Sequence, residues 1–176
     1  MKSTFILTRW LSLAGLRLFR TRVSLSDETV ARLKASPHIV CANHVSYHDG
    51  LLVAFASPVR LVFCIDTLHS RRLRRTRWAL LLGQALGLGR MVSVDSGSPY
   101  GMRRLLRELK NGNSVMVFPE GRISPDGNAL VERPGVEWLA KQSGVDIIRL
   151  HIDGAHRCRI FGKNGDKWFP PIRIEG

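Results

Sequence analysis

The stretch His38–Ser57, "HIVCANHVSYHDGLLVAFAS", runs from an apolar segment through a dense polar turn into a second apolar segment. "HIVCAN" is a short apolar run before a turn, which reads as a buried strand. "GLLVAFAS" reads as a helix that stops before Pro58. Between them stand Asn43, His44, Ser46, His48 and Asp49. Such a strand–turn–helix unit sets the class of the whole chain. Loops at the ends of parallel strands are also where folds of that class put their chemistry.

The rest of the chain repeats the alternation. "SDETVARLKAS" reads as a short helix with Ser26 as N-cap and acidic residues in its first turn. "VRLVFCI" is β-branched and continuous, as a strand buried on both faces would be. A cationic run, Arg71–Arg77, leads into an apolar helix expected from about Thr76 to Leu86, and "MVSV" follows as a strand. "SPYGMRRLLRELKNG" predicts a helix capped by Ser98, with Pro99 at its first position and Gly112 beyond its end. Its apolar stripe is Met102, Leu105, Leu106 and Leu109. "SVMVF", "VDIIRLHI" and a possible last "IRI" read as strands, and "PGVEWLAKQSG" as a helix. The pattern predicts a single α/β domain with a largely parallel sheet flanked by helices.

Length supports one well-buried domain rather than two, since the chain has 176 residues. The 27 Lys and Arg against 14 Asp and Glu give a formal charge of +13. That excess calls for an anionic partner: a membrane surface, a phosphorylated substrate or nucleic acid. No helix-turn-helix spacing, zinc-finger pattern or aromatic RNA-binding motif accompanies it. Cys41, Cys64 and Cys158 make no CxxC pair and read as reduced, buried thiols.

The N-terminal "MKSTFILTRWLSLAGLRLFRTR" has no acidic residue, and basic residues interrupt its apolar ones. It lacks the ~20 apolar residues of a spanning helix. Wound as a helix, Ile6, Trp10, Leu13 and Phe19 make an apolar face edged by arginines. Such a face suits a helix lying in the membrane interface, and equally one covering the protein's own core. A mitochondrial presequence shares the composition. Residues 1–35 are accordingly set apart as an amphipathic, membrane-associating segment, and 36–176 as the catalytic domain.

Three readings compete for the polar turn. Ser46 and Asp49 fit an S-x-x-D capping box. His44 and His48, spaced i,i+4, could ligate a metal, but the glutamate of an HExxH motif is missing. In the third, His44 is a general base whose tautomer is fixed by Asp49, acting on a substrate hydroxyl. The cap and the base are compatible, because a cap would hold Asp49 in place. A second polar cluster follows the strand "VMVF": Pro119, Glu120, Gly121 and Arg122 offer a carboxylate, a close-approach glycine and a guanidinium at one rim.

Together, "NHVSYHD" and the later "FPEGR" resemble the motifs of the glycerophospholipid acyltransferases, the PlsC-type family marked by a His-x4-Asp motif. The likeness runs from about residue 38 to 155. Within the family, "FPEGRI" and "GVEWLAKQSGVDIIRLHIDGA" are most similar to the acyltransferase half of the bifunctional 2-acylglycerophosphoethanolamine acyltransferase/acyl-carrier-protein synthetase.

The resemblance implies that His44 is the base and Asp49 its partner. Glu120, Gly121 and Arg122 would bind the acceptor's glycerol phosphate, with Asn43 and Ser46 also on the substrate side. It implies acyl transfer from acyl-coenzyme A or acyl carrier protein to a lysophospholipid, lysophosphatidate or lysophosphatidylethanolamine. It implies no cofactor, no metal, and a peripheral place on the cytoplasmic side of an anionic membrane. Three departures stand out. Arg122 follows Gly121 directly, where the family usually has a threonine between. Asp95 stands where a phosphate-holding arginine is common. Arg149 stands where a proline is common. The rival readings are a metal-dependent hydrolase using His44, His48 and Asp49, and a non-catalytic nucleic-acid-binding protein.

Overall fold

The computed structural model describes residues 2–66, 89–94 and 100–176. The cationic run Arg71–Arg77, the helix expected over 76–86, Asp95, and the proposed cap Ser98 with Pro99 lie outside the described residues. Elements follow in the order α1 (Lys2–Leu18), β1 (Thr21–Ser24), α2 (Asp27–Ala35), β2 (Ile39–Ala42), α3 (Asp49–Ala56), β3 (Leu61–Asp66) and β4 (Gly89–Val94). Then come α4 (Tyr100–Lys110), β5 (Ser114–Val117), α5 (Gly135–Ser143), β6 (Ile147–Asp153) and β7 (Ile172–Glu175).

One seven-stranded sheet has the order β1-β7-β6-β2-β5-β3-β4. The five strands from β6 to β4 are mutually parallel. β7 joins β6 antiparallel, and β1 lies parallel to β7 at the edge. The α/β class with a largely parallel sheet is therefore as the sequence pattern predicts.

β2 and β5 are buried at every position, because helices cover both faces of the central sheet. Successive residues feed opposite layers. Val40, Ala42, Met116, Leu61 and Phe63 pack in one core with α2 and α3. Ile39, Cys41, Val115, Val117 and Val62 pack in the other with α4 and α5. The stripe read on α4 is the face it buries: Leu105 and Leu109 are in the core and Met102 and Leu106 pack against it.

Local signals account for several boundaries. The Ser26 hydroxyl accepts the Thr29 N–H at 3.1 Å, as its N-cap role requires. α5 ends at Gly144 in the left-handed conformation, φ 68°.

β1 has no counterpart in the sequence reading, since its four residues alternate half-buried and exposed on an edge. Val23 and Leu25 pack against the core and Leu33 of α2 is part of it. Residues 21–35 thus share the sheet and core of the segment that follows. α1 divides its faces. Leu16 is buried, and Gly15 lies so close to the Phe55 ring of α3 that a Cβ would clash. Trp10 and Leu18, about two-thirds exposed, remain open on α1. Among the described residues, no helix is long and apolar enough to cross a membrane.

Candidate active site

Register decides what meets at the sheet's rim. Cys41 of β2 pairs with Val117 of β5. The parallel strands then leave the sheet side by side, so the turn holding His44 adjoins the turn holding Glu120.

Within the first turn, His44 Nδ1 lies 3.0 Å from Asp49 Oδ2. The same oxygen accepts the backbone N–H groups of Val45 and Ser46, each at 2.7 Å. Asp49 has no solvent exposure, and Ser46 Oγ donates to its other oxygen. A carboxylate that takes four donors cannot rotate freely, and the only lone pair it offers His44 requires a proton on Nδ1. Nε2 is left as the acceptor nitrogen of a ring that is one-fifth exposed. Phe118, the last residue before Pro119, stacks on that ring at 4.0 Å and 16°. His44 is thereby fixed in tautomer by Asp49 and in plane by Phe118, the arrangement a general base needs.

The capping box expected of Ser46 and Asp49 forms in one direction. Asp49 accepts the Ser46 N–H, while the Ser46 hydroxyl turns to the Asp49 carboxylate instead of capping the helix. The helix starts at Asp49 with His48 in the capping position and no side-chain cap. The i,i+4 pair of histidines does not share a helix face, because His44 precedes the helix. His48 is buried between Phe19 and Phe161, with ring centroids 5.2 and 4.6 Å away. Among the described residues, no three His, Cys, Asp or Glu side chains converge in a set able to hold a metal.

Asn43 is occupied by the fold. Its side-chain amide donates to the Ile152 carbonyl at 2.8 Å and its oxygen accepts the Ile152 N–H at 2.7 Å. This extends the β2–β6 ladder beyond the end of β2 and fixes where the His44 turn begins.

Glu120 is buried, and the backbone N–H groups of Leu130 and His44 lie near enough to favour its charged form. Burial raises its pKa above the usual carboxylate range, against the pull of those two N–H groups. Its Oε2 has no hydrogen-bond partner among the described residues. Ser124, further along the same loop, donates its N–H to the His44 carbonyl at 2.7 Å. Gly121 has φ 64°, and a Cβ there would lie 2.8 Å from the Arg133 Nε. Arg122 is exposed. Glu120 thus faces inward and braces His44, while Arg122 and Arg133 lie outward beside Gly121.

Cys41, under this rim, is no nucleophile: burial pushes its thiol up to about 12, with Arg149 opposing and Glu132 adding to the shift. A cavity of about 450 Å³ opens beside it, lined in part by Asn43, Glu120, Glu132 and Arg149.

Sequence reading gave no role to Phe118 or Ser124 and did not find Arg133 or the environment of His48. Phe118 and Ser124 border the "PEGRI" segment, so proximity was an available signal. Arg133 had none, since it reaches Gly121 only through the fold of the intervening loop.

A family model described as Acyltransferase matches residues 22–153. A 1-acyl-sn-glycerol-3-phosphate acyltransferase of Limnanthes alba is 29% identical over 123 residues, covering 67% of this chain and 41% of the relative. One from Cocos nucifera is 25% identical over 151 residues, covering 78% of this chain and 46% of the relative. The chain thus spans less than half the length of these curated relatives. Among solved structures, the 1-acyl-sn-glycerophosphate (LPA) acyltransferase PlsC of Thermotoga maritima superposes with a TM-score of 0.66 at 23% identity. The match covers 99% of this chain and 68% of that one, a likeness of fold.

Proposed function

The chain belongs to the acyltransferase family, and from that premise we propose that it moves a fatty acyl group from a thioester to the free glycerol hydroxyl of a lysophospholipid. The observation that carries this reading is the His44–Asp49 pair, braced from the second motif by Ser124. His44 Nε2 takes the hydroxyl proton as the oxygen attacks the thioester carbonyl. The C–S bond then breaks, and the proton passes to the departing thiolate. Asp49 stabilises the imidazolium between those steps. Alignment of the two substrates supplies much of the remaining acceleration. The reaction as written uses no metal or redox cofactor.

The named relatives favour lysophosphatidate as acceptor. The likeness of "FPEGRI" and the following run to the bifunctional enzyme favours lysophosphatidylethanolamine and an acyl-carrier-protein donor. The exposed guanidinium groups of Arg122 and Arg133 beside Gly121 support an acceptor that carries a phosphate. The exposed Trp10 and Leu18 of α1, on a chain of charge +13, support peripheral docking on an anionic membrane at its cytoplasmic face. In this reading α1, rather than the whole of residues 1–35, brings the domain to its lipid acceptor, since residues 21–35 belong to the sheet and core.

The deciding experiment is a matrix of lysophospholipid acceptors against acyl-coenzyme A and acyl carrier protein donors, with products identified by mass. Transfer in one cell names the substrates. Silence in every cell with folded protein overturns the reading.

A further inference from the structure

His48 has no part in the mechanism above, yet it is joined to it. Its Nδ1 lies 2.8 Å from Ser46 Oγ, and Ser46 Oγ donates to Asp49 Oδ1. A hydroxyl carries one proton. Asp49 Oδ2 already accepts three donors, as a carboxylate does, so the Ser46 proton belongs on the Asp49 side. The contact to His48 must then run the other way, with Nδ1–H donating to Ser46 Oγ. Nε2 is consequently the bare nitrogen, and it is buried without a hydrogen-bond partner among the described residues. The rings of Phe19 and Phe161 pack against it and hold the imidazole in that pose. Tyr47, between the two polar residues, is tied back by its N–H to the Phe161 carbonyl at 2.8 Å.

We propose that His48 is a positioning residue: by donating to Ser46 it commits the Ser46 proton to Asp49, and so fixes the carboxylate that orients His44. This rests on the reading of His44 as the base. The chain of bonds runs His48 Nδ1–H to Ser46 Oγ–H to Asp49 to His44 Nδ1–H, with every donor used. If His48 loses its donor, the Ser46 hydroxyl can rotate away from Asp49, and the carboxylate keeps contacts only through Oδ2. The loop from Gly154 to Pro171, which supplies Phe161, then acts on the base from a distance.

Two measurements test this separately. The first compares the full chain with His48→Leu, which removes the donor, and His48→Asn, whose amide can place N–H near the Nδ1 position. Oleoyl-coenzyme A or oleoyl-acyl carrier protein serves as donor and lysophosphatidate as acceptor. The Leu variant lowers kcat about tenfold with both KM values within about twofold, and the Asn variant recovers most of the loss. Ser46→Ala lowers kcat similarly, and adding it to His48→Leu lowers it no further. A wild-type kcat in His48→Leu, or equal losses in Leu and Asn, overturns the proposal. The second measurement needs no activity. Nitrogen-15 spectra of histidine-labelled protein show His48 as the Nδ1–H tautomer. The His44 Nδ1 proton signal moves in His48→Leu and returns in His48→Asn. An Nε2–H tautomer for His48 refutes it even if the leucine variant does not fold. Loss of acyl transfer in the wild type, with these spectra as described, counts against the proposed function alone.

Discussion

Ser124 holds the backbone of His44: its N–H donates to the His44 carbonyl at 2.7 Å, while the buried carboxylate of Glu120, from the same loop, faces the His44 N–H. The peptide group that follows His44 is therefore held by the second motif. The two motifs meet in one site. Bracing of this kind is what keeps a catalytic group in its productive geometry.

Replacement of His44 by Ala removes the proposed base and leaves its scaffold. Activity falls by at least ~10²–10⁴-fold, with a thermal melt close to wild type. Asp49→Asn behaves differently, because an amide cannot accept all four donors that the carboxylate serves. It loses activity and also about 1–3 kcal/mol of stability. Denaturation curves beside kinetics on both variants check the contrast, and wild-type turnover in His44→Ala would falsify the mechanism.

Glu120→Ala removes the buried carboxylate that the N–H groups of His44 and Leu130 face, and lowers both stability and kcat. Glu120→Gln keeps an acceptor for them. The folded-state pKa of Glu120 is raised, so the folded protein holds its proton to higher pH than the unfolded chain does. Its contribution to stability is full below the ordinary value of 4.5 and is lost as pH rises through the folded value. Melting of the Gln variant relative to wild type therefore improves from acid toward neutral pH. A difference independent of pH contradicts this.

Burial lowers His48 from 6.5 to about 4, with the Asp49 charge opposing the shift. Between those values the unfolded chain binds a proton that the folded protein refuses. Stability from this group is complete above pH 6.5 and declines as pH falls toward 4, by about 3 kcal/mol in total. Urea unfolding across that range shows a steeper loss in wild type than in His48→Leu. Parallel curves count against the assignment.

Gly121→Ala places a methyl in a left-handed conformation and against the Arg133 guanidinium. We expect about 1–2 kcal/mol of destabilisation. If the two arginines beside Gly121 hold the acceptor's phosphate, KM for the acceptor rises more than kcat falls. An unchanged acceptor KM removes that role from the loop.

Charge, class and motif were legible in the chain because each depends on residues close in sequence. The apolar runs of β2, β3 and β5 show β-strands buried on both faces, and Ser26 announces its helix by a contact three residues long. The His44–Asp49 pair was readable for the same reason: five residues of strand, turn and helix bring carboxylate to imidazole. Only the tertiary structure decided the rest. β1 is too short and too exposed to carry a pattern, and it exists as a strand because β7 lies beside it. The outward side of Gly121 is set by Arg133, which arrives by way of a loop. Above all, the first motif reads as a cap, a metal site or a general base when taken alone. A hydroxyl has one proton and a carboxylate a limited set of lone pairs, so the direction of each bond depends on all the neighbours at once. Those neighbours, Phe19, Phe118, Glu120 and Phe161, come from distant parts of the chain.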